Sequence, residues 1–203
     1  MNCVTNPVLN FFYIFRMLKD KTIQSIINGI YRDDNKVTRI YTDNSNSVIN
    51  HIYKLTYNMT HIIDDIYLGN ACDASCFYKL KEYNITNIIN STKEIPNYFE
   101  SDFEYFKIDI YDVNSNSYNN DIFNNTLDYI YRLQTKKNKK ILIHCYMGSS
   151  RSATLVILYL MDRYEYTLEQ ALELVKSKRD IVNVNTEFIQ NLRNFKREKV
   201  KMD

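Results

Sequence analysis

The sequence predicts an α/β protein in which a central, mainly parallel sheet is flanked by helices. Two observations carry that expectation. Ile141-Leu142-Ile143 is an unbroken run of branched apolar residues, the pattern of a strand buried on both faces. After a turn around Gly148 the chain continues as Ala153 to Met161, almost wholly apolar, the pattern of a buried helix. Strand-like and helix-like stretches also alternate from about residue 60 to the C-terminus. Such alternation implies right-handed crossovers between neighbouring parallel strands.

The 203 residues suffice for one domain with a proper core plus an extension. The division expected is residues 1–56 as an N-terminal helical extension and linker, and 57–203 as the folded domain. A net charge of +2 and a pI near 8.2 favour neither a nucleic-acid binder nor a polybasic membrane protein. The four cysteines, Cys3, Cys72, Cys76 and Cys145, lack zinc-pair spacing and suit a reduced, cytoplasmic protein. Cys72 and Cys76 are expected to pack at a helix start; the alternative is a redox partnership with Cys145. The apolar run Val8 to Phe15 is interrupted by Asn10 and followed, not preceded, by positive charge, so no secretory signal is expected. Nothing is apolar for long enough to span a bilayer, and neither Met1-Asn2 nor Lys201-Met202-Asp203 fits a lipidation signal. Abundant Asn, Ile, Tyr and Lys, residues with A/T-rich codons, point to the coding DNA of a large DNA virus or an A/T-rich protist.

In chain order, Phe11, Ile14, Phe15 and Leu18 form one helical face and Ile23, Ile26, Ile27 and Ile30 another. Either two short helices or one bent helix fits. These apolar faces exceed what a short helix needs in water, so they are expected to pack on the domain, a partner or a second copy. Residues 33–50 are polar and turn-rich, a linker. His51 and His61 lack companion ligands and are expected to be surface or edge residues.

Ile62 to Asn70 reads as a short strand pair ending at Gly69, and residues 73–83 as a helix capped by Asp73 or Ser75. Ile85 to Asn90 is a second apolar strand. Phe106, Ile108 and Ile110 alternate, predicting a strand with one buried face, which leads into the polar loop Tyr111 to Ser117. Residues 122–133 form a helix. Lys136 to Lys140 make a solvated turn ahead of the central strand. Thr167 and Gln170 form a capping box before the next helix. A loop from Arg179 to Val184 follows, and Asn185 or Thr186 caps a last helix bearing Phe188, Leu192 and Phe195.

The turn between the central strand and helix carries the chemistry: His144-Cys145-Tyr146-Met147-Gly148-Ser149-Ser150-Arg151-Ser152. A helix N-terminus offers unpaired N–H groups and partial positive charge, a ready anion site. A Cys held there beside an Arg is expected to ionise readily and act as a thiolate nucleophile. Arg151 presents a planar fork suited to phosphate oxygens, and Gly148 permits the sharp turn that makes several N–H groups converge.

At these residues the chain resembles the cysteine-dependent dual-specificity protein phosphatases. Their signature is His-Cys-x-x-Gly-x-x-Arg-Ser/Thr, which His144, Cys145, Gly148, Arg151 and Ser152 match in register. Tyr67-Leu68-Gly69 and Ile88-Ile89-Asn90 resemble the opening of that domain, and the likeness runs from about residue 60 to 198. It implies a protein-tyrosine-phosphatase-like fold and hydrolysis of phosphorylated protein through a cysteinyl-phosphate, with no metal or cofactor. Backbone from Tyr146, Met147, Gly148, Ser149 and Ser150, with Arg151, would cradle the phosphoryl oxygens. Ser152 would donate to the sulfur as it leaves; its plainer role is helix capping. His144 would orient the loop without transferring protons.

The general acid must come from a separate loop, and the resemblance points to Asp112, 33 residues before Cys145. Asp109, within the strand pattern, and Asp121, at a helix start, are its competitors. Asn185 matches a family position that braces the phosphate loop, although Val184 replaces the usual preceding Pro; its plainer role is a helix cap. The short catalytic span implies a shallow pocket and dual specificity. Two other readings remain: a phosphatase of phosphoinositides or RNA 5′-phosphates, against which the uncharged Tyr146, Met147, Ser149 and Ser150 argue, and a phosphoprotein-binding pseudophosphatase.

Overall fold

The structure is a computed structural model that describes residues 59–111 and 119–197. Expectations for the extension 1–56, for His51 and for Asp112 lie outside those residues. A hairpin opens the fold, with β1 (Thr60–Ile63) antiparallel to β2 (Ile66–Gly69). Asp64 sits in its turn at φ +47°, a left-handed conformation that Asp tolerates better than most residues. The remaining strands, β3 (Asn87–Asn90), β4 (Glu104–Lys107) and β5 (Ile141–His144), run parallel to β2 in the order β1-β2-β5-β3-β4.

Alternation along these strands sorts side chains onto two faces. Ile66, Leu68, Ile89, Ile141 and Ile143 join the larger core, which includes α3 (Asn120–Gln134), α4 (Arg151–Tyr164), α5 (Leu168–Lys178) and α6 (Thr186–Asn194). Tyr67, Ile88 and Leu142 face the other way, into a smaller core with Ala74 and Leu80 from the short helices α1 (Ala71–Ser75) and α2 (Phe77–Glu82). Helix α4 is the hub: every residue from Arg151 to Leu160 is buried. Each of its aliphatic side chains contributes roughly 1.5–3 kcal/mol by leaving water, so truncating Leu158 to Ala would cost about 2–5 kcal/mol.

Two elements differ from expectation. The first helix is broken in two, and its cap is neither Asp73 nor Ser75. Asn70 caps α1: its side chain accepts from the Asp73 N–H, and the Asp73 carboxylate accepts from the Asn70 N–H. That reciprocal box starts the helix two residues early, and extended backbone at Cys76 (φ −101°, ψ 92°) ends it. The Phe106 to Ile110 alternation is only partly a strand. β3 ends at Asn90, so pairing stops at Lys107; Ile108 N–H makes one further bond to the Asn90 carbonyl, and Ile110 N–H turns back to the Ile108 carbonyl. Ile108 and Ile110 stay buried. The alternation reported burial, not pairing.

Asn119, not Asp121, caps α3. The Thr167–Gln170 box caps α5, and the Asn185 side chain caps α6 by accepting from the Glu187 N–H. Cys72 and Cys76 are buried and form no disulfide, and burial pushes the Cys72 thiol up to about 12. His61 is exposed, its ring nitrogen bonded to the Asp64 carbonyl. Among the described residues no helix is long and apolar enough to cross a membrane, and no cluster of three potential metal ligands occurs.

Candidate active site

Parallel registry brings Gly69, Asn90 and His144 side by side at the carboxyl ends of β2, β3 and β5. In open α/β sheets, ligands bind beyond this edge. The chain leaves β5 at His144, loops through residues 145–150 and enters α4 at Arg151.

The loop is shaped by where its carbonyls go. His144 C=O accepts from Ser91 N–H (3.0 Å) and Ser91 Oγ (2.8 Å). Tyr146 C=O accepts from Ala71 N–H (3.1 Å), and Ser149 C=O from Asn183 N–H (2.9 Å). Arg179 donates from Nη2 to Met147 C=O (3.2 Å) and from Nε to Gly148 C=O (2.9 Å). Ser150 C=O accepts from Thr154 N–H (2.8 Å) within α4. In a trans peptide the N–H points opposite the C=O. Anchoring these oxygens to the surroundings therefore turns the following N–H groups toward the loop's interior, the geometry of an anion nest.

Cys145 is buried at the base of this nest. Its Sγ receives two donors at 3.2 Å each, the Gly148 N–H and the Ser152 hydroxyl from the first turn of α4. Gly148 takes φ +71°; a Cβ there would meet Gly69 C=O at 2.5 Å and Arg179 Nη2 at 2.7 Å. No other residue fits without rebuilding the loop. His144 lies fully buried behind it, its Nδ1 3.3 Å from the Cys145 carbonyl oxygen. Burial pushes the imidazole down to about 4, so it is neutral at pH 7.

Arg151 is buried, and its Nη1 contacts Glu94 (2.7 Å) and the Ile110 carbonyl (3.1 Å). Ile110 lies two residues before Asp112. Tyr111, between them, is exposed and hydrogen-bonded through its hydroxyl to Lys93. Asp109 is exposed beyond β4, and Asp121 is exposed in the first turn of α3. Asn185 braces the loop through its backbone, its N–H donating to Ser150 Oγ at 3.1 Å.

The part three residues play here escaped the sequence reading. Arg179 is 2% exposed; following Lys178 at a helix end, it reads as part of a solvated basic C-terminus. Asp73 is wholly buried, and burial pushes its carboxyl up to about 6 against the opposing pull of the Asn70 N–H and of the Arg179 charge. Glu94 has no signature, because its partner is 57 residues away.

A buried cysteine sulfur that holds two donors at the N-terminus of a buried helix is an arrangement able to receive an anion. A model of the dual specificity phosphatase catalytic domain matches residues 66–198, and the chain belongs to that family. It is 32% identical over 179 residues to Dual specificity protein phosphatase 1 of Arabidopsis thaliana, covering 86% of this chain and 79% of that protein. To Protein phosphatase Slingshot of Drosophila melanogaster it is 38% identical over 139 residues, 67% of this chain but only 13% of that far longer protein. Among solved structures, the human tyrosine phosphatase-like serine/threonine/tyrosine-interacting protein is similar at a TM-score of 0.61 and 29% identity, over 66% of this chain and 93% of that one. A fold shared with a protein named phosphatase-like leaves activity to be argued from the site's own residues.

Proposed function

We propose that this chain is a protein phosphatase hydrolysing phosphotyrosine and phosphoserine/phosphothreonine through a cysteinyl-phosphate on Cys145. The observation that carries the reading is the Cys145 sulfur, which already holds two donors, the Gly148 N–H and the Ser152 hydroxyl, in a loop whose carbonyls are bonded to the surrounding protein. Preorganised donors of this kind stabilise charge spread over equatorial phosphoryl oxygens.

Cys145 Sγ attacks phosphorus, and the bond to the leaving oxygen breaks as that oxygen takes a proton from Asp112. Water, giving its proton back to Asp112, then attacks the thiophosphate. Inorganic phosphate departs and the electron pair of the broken S–P bond stays on sulfur, to which the Ser152 hydroxyl donates a hydrogen bond. Asp112 follows Ile110, which touches Arg151, by two residues, a reach of about 7 Å in extended chain. That proximity supports it over Asp121, which belongs to α3. Neutral His144 supports the loop and takes no proton. The mechanism calls for no metal, and thiolate chemistry fits a reducing compartment such as the cytoplasm.

The loop's variable side chains Tyr146, Met147, Ser149 and Ser150 carry no charge, which favours a phosphoprotein over a polyanionic phosphoinositide or RNA 5′-phosphate. A panel of phosphotyrosine peptide, phosphothreonine peptide, phosphoinositide and RNA 5′-triphosphate tests the reading, with Cys145→Ser as control. Peptide hydrolysis in EDTA, abolished in Cys145→Ser, is expected. Turnover restricted to the lipid or RNA would replace the substrate class. No turnover with retained phosphopeptide binding would make the chain a pseudophosphatase.

A further inference from the structure

Four large apolar side chains are exposed among the described residues: Tyr78, Tyr111, Met147 and Ile181. Three of them border the loop that follows Cys145. Met147 belongs to that loop and is 44% exposed, and Ile181, 48% exposed, stands two residues beyond Arg179. Arg179 reaches Thr60 at the β1 edge of the sheet. Tyr111 lies at the β4 edge, next to Ile110, whose carbonyl accepts from Arg151 Nη1. Single apolar residues scattered over a surface call for no explanation, but a group gathered around one candidate site does.

Hydrogen bonds place Met147 and Ile181 on one seam. Residues 179–185 run alongside residues 147–150, with their contacts in matching order. Arg179 donates to the Met147 and Gly148 carbonyls, Asn183 N–H to the Ser149 carbonyl, and Asn185 N–H to Ser150 Oγ. Met147 and Ile181 each precede the bond joining Ser149 to Asn183 by two residues, at most about 7 Å of chain. Between Arg179 and Asn183, the Val182 N–H returns to the Arg179 carbonyl at 3.1 Å. That bond closes a turn with Asp180 and Ile181 as its central residues. Val182 is buried, while Asp180 and Ile181 stand in solvent.

We propose that Met147 and Ile181 form an apolar subsite that selects phosphoproteins with a large aliphatic residue beside the phosphorylated one. The proposal deepens the phosphatase reading and rests on it: a phosphate held over Cys145 anchors the peptide, and a neighbouring side chain lies on the seam. The flexible Met147 thioether adapts its shape to an aliphatic partner, and the contact takes apolar surface of both out of water. Charge argues the same way. Asp180 stands beside Ile181 in the turn, and Asp109 is exposed at the other flank, where Lys93 is engaged with the Tyr111 hydroxyl. An acidic neighbour meets like charge there.

The test uses labelled phosphotyrosine peptides that carry Ala, Leu or Glu in turn at each of the two positions on either side of the phosphotyrosine. They are titrated into the full chain bearing Cys145→Ser, alone and combined with Ile181→Ser or Ile181→Leu. At one position Leu is expected to bind about tenfold tighter than Ala, the effect of burying a few methyl and methylene groups, and Glu no tighter than Ala. Ile181→Ser should erase most of the Leu preference and Ile181→Leu should keep it. With Cys145 intact, a small aryl phosphate, which has no neighbouring residue, should react alike in wild type and Ile181→Ser. Peptides bound and hydrolysed without a Leu preference, or with a preference that survives Ile181→Ser, would overturn this proposal and leave the phosphatase reading standing. A preference for Glu would overturn it as well. Faster aryl phosphate turnover in Ile181→Ser would also do so, marking the seam as covered by this chain or by a second copy. If Cys145→Ser binds no phosphopeptide, the substrate class and this proposal fall together. If it binds them with the Leu preference while the wild type hydrolyses none, only the proposed catalysis falls.

Discussion

Arg179 Nε donates to the Gly148 carbonyl at 2.9 Å across 31 residues of sequence. The same guanidinium reaches Met147 C=O and the Thr60 hydroxyl, so one buried side chain ties β1 and the end of α5 to the loop that follows Cys145.

Arg179→Ala should therefore strand two loop carbonyls, that of Gly148 buried, and remove the stronger of the two positive charges near Asp73. Removing one member of a buried charged network costs about 3–5 kcal/mol, and kcat/KM should fall with the loop's order. Arg179→Lys, lacking the fork, should recover stability only in part. Denaturant midpoints and steady-state kinetics read both. Wild-type values in Arg179→Ala would show that the loop stands without this brace.

Ser152→Ala should affect the second chemical step more than the first. Its hydroxyl is 3.2 Å from Sγ, and a hydrogen bond to a charged group contributes about 1.5–3 kcal/mol. Loss of that support for departing thiolate slows breakdown of the thiophosphate by about 10–100-fold. Rapid mixing with an activated aryl phosphate should show a burst of phenol followed by a slower steady state. A burst rate depressed as much as the steady state would assign Ser152 to structure alone.

Asp112→Asn should slow hydrolysis of a poor leaving group, such as tyrosine phosphate, by about 10²–10⁴-fold, the usual contribution of a positioned acid. The defect should shrink for an ester whose phenol leaves without a proton, and the alkaline limb of the pH profile should flatten. Asp109→Asn and Asp121→Asn serve as comparisons. A leaving-group-dependent loss in Asp109→Asn, absent in Asp112→Asn, would move the acid three residues upstream.

Asp73 and His144 should give stability opposite dependences on pH. Burial raises Asp73 from 3.8 to about 6, so the folded state holds its proton more tightly, and this contribution falls as pH rises from about 4 to 6. Burial lowers His144 from 6.5 to about 4, so its contribution is complete above pH 6.5 and is lost as pH falls toward 4. Between pH 4 and 6 the two slopes, each up to about 1.4 kcal/mol per pH unit, oppose one another. Relative to wild type, Asp73→Asn should gain stability as pH rises through this window, and His144→Gln should lose it. Urea midpoints at several pH values measure the differences; parallel curves for all three proteins would remove both groups from the balance.

The sequence by itself determined most of the scaffold and the heart of the site, because those signals are local. A buried strand, a glycine turn and a buried helix placed Cys145, Gly148, Arg151 and Ser152 within eight consecutive residues. Helical spacing and the Thr167–Gln170 box likewise fixed α5. Local rules failed where a neighbour's end mattered more than the pattern: β4 stops because β3 stops, and α1 starts at Asn70 because of a reciprocal bond with Asp73.

Only the tertiary structure decided what supports the loop. Glu94, Ala71 and the loop that carries both Arg179 and Asn183 are three separate segments, and each residue acts through a hydrogen bond or charge contact with no sequence period. Close-packed folding removes Arg179 and Asp73 from water, and only in that low-dielectric setting do an unremarkable loop arginine and a helix-cap aspartate become strong interactions.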